Sequence, residues 1–432
     1  MNKELTNFAS RLSRLINAYH VDSVITGPTW EPVGRSEGTV FEARGTSPLP
    51  SPHFAPQTPQ NAERVKRSQH RVAAKISAGF ESLATELFAL QFHLNPAYRK
   101  ICEARQLSPQ TVGNWKQIPP VPTGAFKELE LSCIPPAELT AVFHSSGTTG
   151  QKPSRHFHCA ESLALYEASL WHSFRPHFNA ENEFLFLTPD QAATPRSSLV
   201  HMFETVSRAG TFVNRGAFCG SVAADGSWIV DFERAVQRLN FAAAHRRPLT
   251  LLGTAFSFVH LLDFLAENGL RFILPEGSQV METGGYKNRS RVLPKAELHA
   301  LIADQLGVGR ENIICEYGMS ELSSQAYDSA SERRSPTRLD ANVLKRAGSE
   351  TGAPADRHFH FPPWARAQII STETGREAAD GETGLIRILD LANVYSVAAV
   401  QTEDLGVRDG DGFELIGRAE LAEPRGCSLM AA

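Results

Sequence analysis

The sequence predicts an α/β protein in which helices cover layered sheets of mixed or parallel strands, followed by a smaller β-rich subdomain. Three short apolar runs predict strands, at residues 184–187, 249–252 and 271–274. A helical pattern over residues 255–267 lies between the last two, with Thr254 as N-cap and Asn268-Gly269 at its end. Strand, helix and strand at this spacing are typical of βαβ units, whose sheet is covered on both faces.

Composition excludes several classes of protein. The 432 residues carry a net charge of −4, which gives no electrostatic footprint for nucleic acid. No apolar run approaches the ~18 residues of a membrane span, and the first residues lack the apolar core of a signal peptide. The six cysteines form no Cys-x-x-Cys pair, so neither a disulfide framework nor a zinc site is indicated. We expect a cytoplasmic enzyme with reduced thiols.

The N-terminal part predicts a short helix and a linker. Within residues 1–26, apolar side chains recur at helical spacing, at Leu5, Phe8, Leu12, Leu15 and Ile16. Residues 27–61 are rich in Pro, Gly and Ser, a composition typical of a disordered linker. The sequence leaves open whether the helix docks on the body of the protein, on a partner or on nothing.

Residues 62–366 are predicted to form the α/β core, and residues 367–432 the β-rich subdomain. The core opens with a helical pattern that Asn95-Pro96 ends, and the proline-rich residues 118–122 then impose an extended segment. In the tail, apolar and polar residues alternate over 367–371 and 385–389, which predicts strands. Asp-Gly-Asp-Gly at 409–412 predicts a hairpin turn.

A polar loop follows a predicted strand at residues 140–143 and is suited to binding phosphate. Its candidate ligands are hydroxyls, glycines and one lysine: Ser145, Ser146, Gly147, Thr148, Thr149, Gly150 and Lys152. Glycines let backbone N–H groups turn toward an anion, and a lysine adds a mobile positive charge. The spacing differs from the P-loop of nucleotide hydrolases, because the two glycines are three residues apart. The alternative is a surface turn.

This loop resembles the phosphate loop of the adenylate-forming enzymes. With residues 121–128 and 153–156, it is similar to the acyl-protein synthetase family, which includes the synthetase of the fatty-acid reductase of bacterial luminescence. The resemblance runs from about Phe80 to the C-terminus. It implies an adenylate-forming synthetase core and an ATP- and Mg²⁺-dependent ligase that converts a carboxylic acid, most simply a fatty acid, to acyl-AMP.

The resemblance also implies the nucleotide site. The residues that would bind adenosine are Gly284, Gly285, Tyr286, Tyr317, Asp404 and Arg418. Asp404 would accept both ribose hydroxyls and Arg418 would close over the sugar, while Glu321 would help to hold magnesium. Taken singly, Tyr317 and Glu321 would more often be a packed aromatic ring and a solvated charge. Phe126 and His201 are weaker candidates for the acyl pocket, with core packing as the alternative for each.

The chain departs from the superfamily pattern shortly after Arg418, where the usual large C-terminal domain and its lysine are expected to be absent. Lys287 or Lys127 could replace that lysine, and nothing in the sequence decides between them. Cys427 lies near the end beside Gly426 and Arg425, and cations favour a reactive thiolate. The resemblance implies that Cys427 takes the acyl group from the adenylate and passes it to a partner such as an acyl reductase. An incidental terminal thiol is the alternative.

Two other functions remain open at this point. A synthetase could pass the acyl group directly to coenzyme A or to a carrier-protein thiol, without an acyl-enzyme. Alternatively, the chain could be a nucleotide-binding partner protein with no chemistry of its own. The first would keep its rate when Cys427 is replaced by Ser, and the second would bind ATP without acid-dependent release of pyrophosphate.

Overall fold

A computed structural model describes residues 1–19, 59–145, 152–210, 216–284, 293–328 and 357–419. Most of the predicted linker lies outside these residues. So do several predicted site residues, namely Ser146, Gly147, Thr148, Thr149, Gly150, Gly285, Tyr286 and Cys427, together with Lys287. Within the described residues, no helix combines the length and apolarity that crossing a bilayer requires.

The helices begin and end where the sequence supplies caps. Thr254 accepts a hydrogen bond from Ser257 N at 3.1 Å as N-cap, and Gly269, with φ +61°, follows the end of that helix as predicted. Asn95 ends one helix and caps the next. The helices are α1 Lys3–Ala18, α2 Pro59–Leu94, α3 Pro96–Ala104, α4 Ala125–Glu128, α5 Ala160–Phe174, α6 Ser198–Ala209, α7 Phe232–His245, α8 Ala255–Glu267 and α9 Lys295–Leu306.

The strands are short before the C-terminal part and longer within it. They are β1 Val121–Pro122, β2 Ala141–His144, β3 Arg155–His158, β4 Glu183–Phe186, β5 Ala217–Phe218, β6 Gly220–Val222, β7 Trp228–Val230, β8 Leu249–Thr254, β9 Gln279–Thr283, β10 Ile313–Tyr317, β11 Ala326–Tyr327, β12 Ala365–Ile370, β13 Thr383–Asp390, β14 Ala399–Asp409 and β15 Gly412–Arg418.

A six-stranded sheet forms the centre of the described α/β core, in the order β11-β10-β9-β8-β4-β5. All neighbours pair in parallel except β11, which runs antiparallel to β10. Strand β8 is buried along its whole length, as expected for a strand covered on both faces. The predicted fold class is confirmed, and the carboxyl ends of β9 and β10 lie at one edge of this sheet.

The C-terminal strands form a second, five-stranded sheet, in which β12, β13, β14 and β15 pair antiparallel. The turn between β14 and β15 falls at Gly410, with φ +54°, in the predicted Asp-Gly-Asp-Gly stretch. Strand β1, from the proline-rich segment, pairs in parallel with β14 through Val121 and Val400. The extended lead-in therefore becomes an edge strand, a position where proline is tolerated.

Helix α1 docks on the body of the protein. Its apolar stripe is fully buried in one core cluster with α2 and the C-terminal sheet, at Leu5, Phe8, Leu12 and Ile16. The N-terminal amine also pairs with Glu138 at 2.5 Å, and Asn17 meets His172 of α5 at 3.1 Å. The structure thus decides between the three possibilities that the sequence left open.

The predicted strand at residues 271–274 is wrong. The Phe272 and Leu274 N–H groups donate to the carbonyls of Gln305 and Leu306 at the end of α9, not to a strand. Phe272 and Leu274 are buried in the core cluster of α8 and α9, whereas Ile273 between them is 82% exposed. The apolar run therefore reflects packing against these helices and not strand pairing. The strand of this unit is β9, which begins at Gln279, after the predicted run.

Candidate active site

A cavity of about 320 Å³ opens at the carboxyl ends of β9 and β10. Helix α6 forms one wall, and β14 with β15 forms another. The lining residues are His144, Ser145, Tyr166, Ser197, Ser198, Leu199, Met202, Thr283, Gly284, Cys315, Glu316, Tyr317, Gly318, Met319, Ser320, Glu321, Gln325, Asp404, Leu415, Gly417 and Arg418. This is the position in which open α/β sheets bind ligands.

Three predicted adenosine ligands meet at one end of the cavity. The Tyr317 hydroxyl donates to Asp404 Oδ2 at 2.9 Å, and Arg418 Nε lies 3.3 Å from Asp404 Oδ1. A second contact holds the arginine, because its guanidinium also pairs with Glu403 at 2.6 Å. Register explains the meeting, since Asp404 on β14 is paired directly with Arg418 on β15. The carboxylate is therefore pre-positioned at the cavity.

The Tyr317 ring is held by other aromatic rings. It meets Phe413 edge-on, with centroids 5.5 Å apart, and lies 5.9 Å from Phe359. Tyr317 is both a packed aromatic ring and a cavity residue, so the two readings of the sequence are not exclusive. Gly284 directly follows β9, the strand next to β10, and has φ +76°. It also lines the cavity.

Glu321 is buried in the cavity wall and accepts two hydroxyls. Ser154 donates to its Oε1 at 2.6 Å and Ser320 donates to its Oε2 at 3.1 Å. A carboxylate oxygen keeps a further lone pair after one such bond, so the group still fits a hard divalent cation. Among the described residues, no cluster of three or more His, Cys, Asp or Glu side chains could hold a metal by itself.

The predicted phosphate loop joins β2 to β3, and its two ends are tied together. Ser145 N donates to the Ser154 carbonyl at 3.1 Å, and Ser154 N donates to Ser145 Oγ at 2.9 Å. Through Ser154, this closure connects to Glu321. Ser145 lines the cavity, whereas Lys152 does not; its exposed ammonium pairs with Glu128 at 3.2 Å.

Neither weak acyl-pocket candidate lines the cavity. Phe126 is fully buried in the core cluster that contains α1, which agrees with packing as its role. The ring of His201 points to Glu167, 2.8 Å away, and to Gln191, 2.7 Å away, so both ring nitrogens have partners. Its neighbours Leu199 and Met202, one helical turn apart on α6, face the cavity instead.

The structure adds a buried carboxyl that the sequence analysis did not single out. Glu316 lines the cavity, is 5% exposed and accepts a hydrogen bond from the Thr283 hydroxyl. Burial raises the pKa of Glu316 to about 7, with the Thr283 bond opposing the rise and Glu282 adding to it. A detectable signal was present in the sequence, since Glu316 directly precedes the Tyr-Gly pair at 317–318.

His144 is a second residue that the sequence analysis missed. It lines the cavity at the end of β2, next to Ser145. Burial lowers the pKa of His144, and the guanidiniums of Arg196 and Arg155 lower it further. A neutral imidazole therefore borders the cavity at neutral pH.

The family comparison decides what kind of protein has this cavity. The family model described as acyl-protein synthetase, LuxE, matches residues 80–432. The chain belongs to the LuxE acyl-protein synthetase family. The matched region contains every part of the cavity, from His144 to Arg418.

Two curated relatives support this membership over most of their length. The long-chain-fatty-acid–luciferin-component ligase of Aliivibrio fischeri is 24% identical over 370 residues, covering 82% of this chain and 87% of the relative. The protein of the same name from Vibrio harveyi is 22% identical over 351 residues, covering 79% and 84%. Both relatives are named as ligases.

A solved structure shows the same fold in a more distant enzyme. An open conformation of 2-hydroxyisobutyryl-CoA ligase, in complex with its acyl-adenylate and CoA, aligns with a TM-score of 0.55 at 12% identity. The alignment covers 82% of this chain and 76% of the ligase. This acyl-protein synthetase family member thus has the fold of the adenylate-forming ligases and is an acid–thiol ligase.

Proposed function

We propose that this enzyme uses ATP to activate a fatty acid and then transfers the acyl group through Cys427 to a partner protein, such as an acyl reductase. A carboxylate oxygen attacks the α-phosphorus, the bond to pyrophosphate breaks, and acyl-AMP remains. The Cys427 thiolate then attacks the acyl carbon and AMP leaves. One observation carries the proposal: a single cavity connects Asp404, Glu321 and an apolar wall.

The Asp404 end suits the sugar of the nucleotide. Its carboxylate already accepts the Tyr317 hydroxyl and pairs with Arg418, so little reorganisation would be needed to accept ribose hydroxyls. Charged hydrogen bonds of this kind are worth about 1.5–3 kcal/mol. Gly284 leaves the neighbouring backbone open for the base.

The phosphates would lie between this end and the loop that begins at Ser145. Ser145 lines the cavity, and Lys152 at the far side of the loop pairs with the exposed Glu128, a contact that it could exchange for phosphate. Glu321 would hold magnesium together with phosphate oxygens. When bound, the ion neutralises negative charge on the phosphates, which otherwise repel the incoming carboxylate.

The acyl group would lie against α6. Leu199 and Met202 of α6, together with Tyr166 of α5, give the cavity an apolar surface next to the sheet edge. Apolar contact of this kind favours a hydrocarbon chain over a highly charged acid. The names of the two bacterial relatives agree with a fatty acid.

The cysteines in the described part of the chain are poor nucleophiles, which supports Cys427 as the acyl carrier. Burial raises the pKa of Cys102 to about 11, and those of Cys133 and Cys219 to about 12. Burial raises the pKa of Cys315 well above its usual value, although this thiol lines the cavity. Only the thiolate attacks readily, so each of these groups would be slow near neutral pH.

Two measurements on Cys427→Ser test the proposal. Acid-dependent exchange of pyrophosphate into ATP should be retained, because the residue acts only after acyl-AMP has formed. Covalent labelling by a radiolabelled fatty acid and ATP should be lost, because a serine hydroxyl is a far weaker nucleophile than a thiolate. Cys133→Ser, which changes a half-buried thiol outside the cavity, is the matched control and should keep both activities.

Other outcomes identify the alternatives. Labelling that survives in Cys427→Ser would refute Cys427 as the carrier. Full turnover to coenzyme A without labelling would indicate direct transfer. ATP binding with no acid-dependent exchange across a panel of fatty and aromatic acids would contradict the proposed activation step.

A further inference from the structure

The two strands at the cavity present different side chains to their two sides. Met281 on β9 and Ile314 on β10 belong to the core cluster that contains Leu199 and Met202, whereas Val280 and Ile313 belong to the cluster of α8 and α9. Side chains two residues apart along a strand share a face. Thr283 and Glu316 therefore lie on the α6 side, and Tyr317 lies on the other.

Glu316 is thus a carboxyl placed at the apolar wall. It is paired with Thr283 across the two strands, and the Thr283 hydroxyl donates to its Oε2. The other oxygen lies beside Gly318, where a Cβ would come within 2.3 Å of it. The absence of a side chain at residue 318 makes room for the carboxyl.

A second acceptor at the cavity has no donor among the described residues. Gln325 is 4% exposed and lines the same cavity. Its side-chain oxygen is buried and accepts no hydrogen bond from any residue that the structure describes. Its Cγ would lie 3.4 Å from a Cβ at Gly318, so Gln325 and Glu316 flank the same glycine. Two acceptors therefore adjoin a space bounded by Leu199 and Met202.

We propose that the acid activated by this enzyme carries a hydrogen-bond donor, a hydroxyl or an amino group, which Glu316 and Gln325 accept. The inference rests on the proposed function and narrows its substrate class. An unsubstituted alkyl chain would displace water from both acceptors and offer no hydrogen-bond donor in its place, which is costly. Sites built to bind a substrate hydroxyl or amine reject the analogue that lacks it much more strongly than apolar pockets reject an added methylene.

The raised pKa of Glu316 is consistent with this role. Burial raises the pKa of Glu316 to about 7 although the Thr283 hydroxyl already donates to it. A further donor would stabilise the carboxylate form, because a hydrogen bond to the charged group offsets its desolvation. A hydroxyl would supply one such bond. An ammonium group would supply a bond and a compensating charge.

The test uses the full chain and acid-dependent release of pyrophosphate. Unsubstituted acids of a given chain length are compared with acids of the same length that carry one hydroxyl or one amino group, moved stepwise along the chain. We expect at least one substituted acid to exceed its parent about 10- to 100-fold in kcat/KM, in line with a charged hydrogen bond. Comparing the hydroxyl acids with the amino acids shows which of the two groups the site accepts as donor.

Glu316→Leu should remove or invert this preference while leaving KM for ATP within about two-fold, because the residue faces α6 and not Tyr317. Glu316→Gln should keep more of a preference for a hydroxyl than for an amine. Glu204→Gln is the matched control: it changes a carboxyl side chain on α6 that does not line the cavity, and it should leave the preference unchanged.

The wild-type comparison alone can overturn the inference, so it does not depend on the variants folding. A parent acid that equals or exceeds every substituted acid would refute it. A Glu316→Leu variant that weakens ATP equally with all acids would assign Glu316 to the base instead. Failure of every acid to release pyrophosphate would defeat the proposed activation step and this inference together.

Discussion

Asp404 has two partners before any nucleotide binds, and its substitution should act at the nucleotide end of the reaction. Asp404→Ala removes the acceptor for Tyr317 and the ion pair with Arg418. We expect KM for ATP to rise about 10- to 100-fold, the equivalent of about 1.5–3 kcal/mol for charged hydrogen bonds, with a much smaller effect on KM for the acid. Steady-state kinetics with each substrate varied in turn would measure both.

Asp409→Ala provides the control for this substitution. Asp409 is a carboxylate at the end of the same strand, 64% exposed, with His358 as its partner. Its loss should leave both KM values unchanged. Equal effects of Asp404→Ala on ATP and acid would place Asp404 away from the ribose.

Glu316 should make the free energy of unfolding depend on pH. Its folded-state pKa of about 7 lies above the ordinary 4.5, so the folded protein holds this proton more tightly than the unfolded chain. The contribution of this proton to the free energy of unfolding is fully present below pH 4.5 and is lost as pH rises to about 7. Glu316→Gln should therefore gain stability relative to the wild type across that window, and the difference should level off above it. Urea unfolding of both proteins from pH 4 to pH 8 measures this difference, and a pH-independent difference would contradict the raised pKa.

The predicted site residues that line the cavity share one property: each belongs to a run of neighbours with a recognisable spacing. Tyr317 and Glu321 lie in one such run, and Asp404 lies in another. Glu316 and Gln325 also line the cavity and were not predicted, because the sequence does not show which face of a strand meets the cavity. His201 was chosen one position away from Met202, and on a helix one position is about 100° of rotation.

At the level of the elements, α1 is an integral part of the core. The sequence left open whether this helix docks on the body of the protein, on a partner or on nothing. The structure buries Leu12 completely in the cluster that includes the C-terminal sheet. Leu12→Ala should cost about 2–5 kcal/mol of unfolding free energy. Thermal or urea unfolding would show this, and Asn7→Ala, on the exposed face of the same helix, should change stability little.

The loop between β2 and β3 should affect catalysis without affecting stability. Lys152→Ala should reduce adenylate formation ten-fold or more, because the ammonium would neutralise phosphate charge. Its only effect on folding is the loss of an exposed pair with Glu128, and such pairs are worth about 0–1 kcal/mol. Thr148→Ala in the same loop should act likewise. Pyrophosphate exchange and melting temperature measure the two effects.

Lys116→Ala is the control for Lys152→Ala, since Lys116 forms another exposed ion pair, with Glu377, and does not line the cavity. Unchanged exchange in Lys152→Ala and Thr148→Ala would remove the loop from the site.

The prediction of strands from sequence failed where the local apolar pattern did not match the hydrogen bonds that the segment makes in the folded protein. Residues 271–274 have the composition of a strand, yet their N–H groups bond to the end of α9. The polar Glu282 and Thr283 concealed β9, although both are buried at the end of a central strand. A functional strand end carries polar residues, and this weakens the apolar signal that marks strands elsewhere.

For the whole molecule, the sequence predicted the α/β class and the β-rich C-terminal part, because both rest on local repeats of apolar residues. It could not predict that β1 joins the C-terminal sheet, since Val121 and Val400 are brought together only by the folded chain. It also did not predict the shared core. Through Gln91, helix α2 contacts the connection between β13 and β14. The Gln91 side chain donates to the carbonyls of Asn393 and Val394 and accepts from Ala398 N.

This shared core has a consequence for synthesis on the ribosome. Gln91 and Ala398 are 307 positions apart. At a translation rate of roughly 5–20 residues per second, Gln91 is synthesised roughly 15–60 s before Ala398. During that time the apolar side chains of α1 and α2 that later pack against the C-terminal sheet have no such partner, and exposed surface of this kind favours aggregation. The nascent chain should therefore depend on chaperones that shield its N-terminal helices until translation ends.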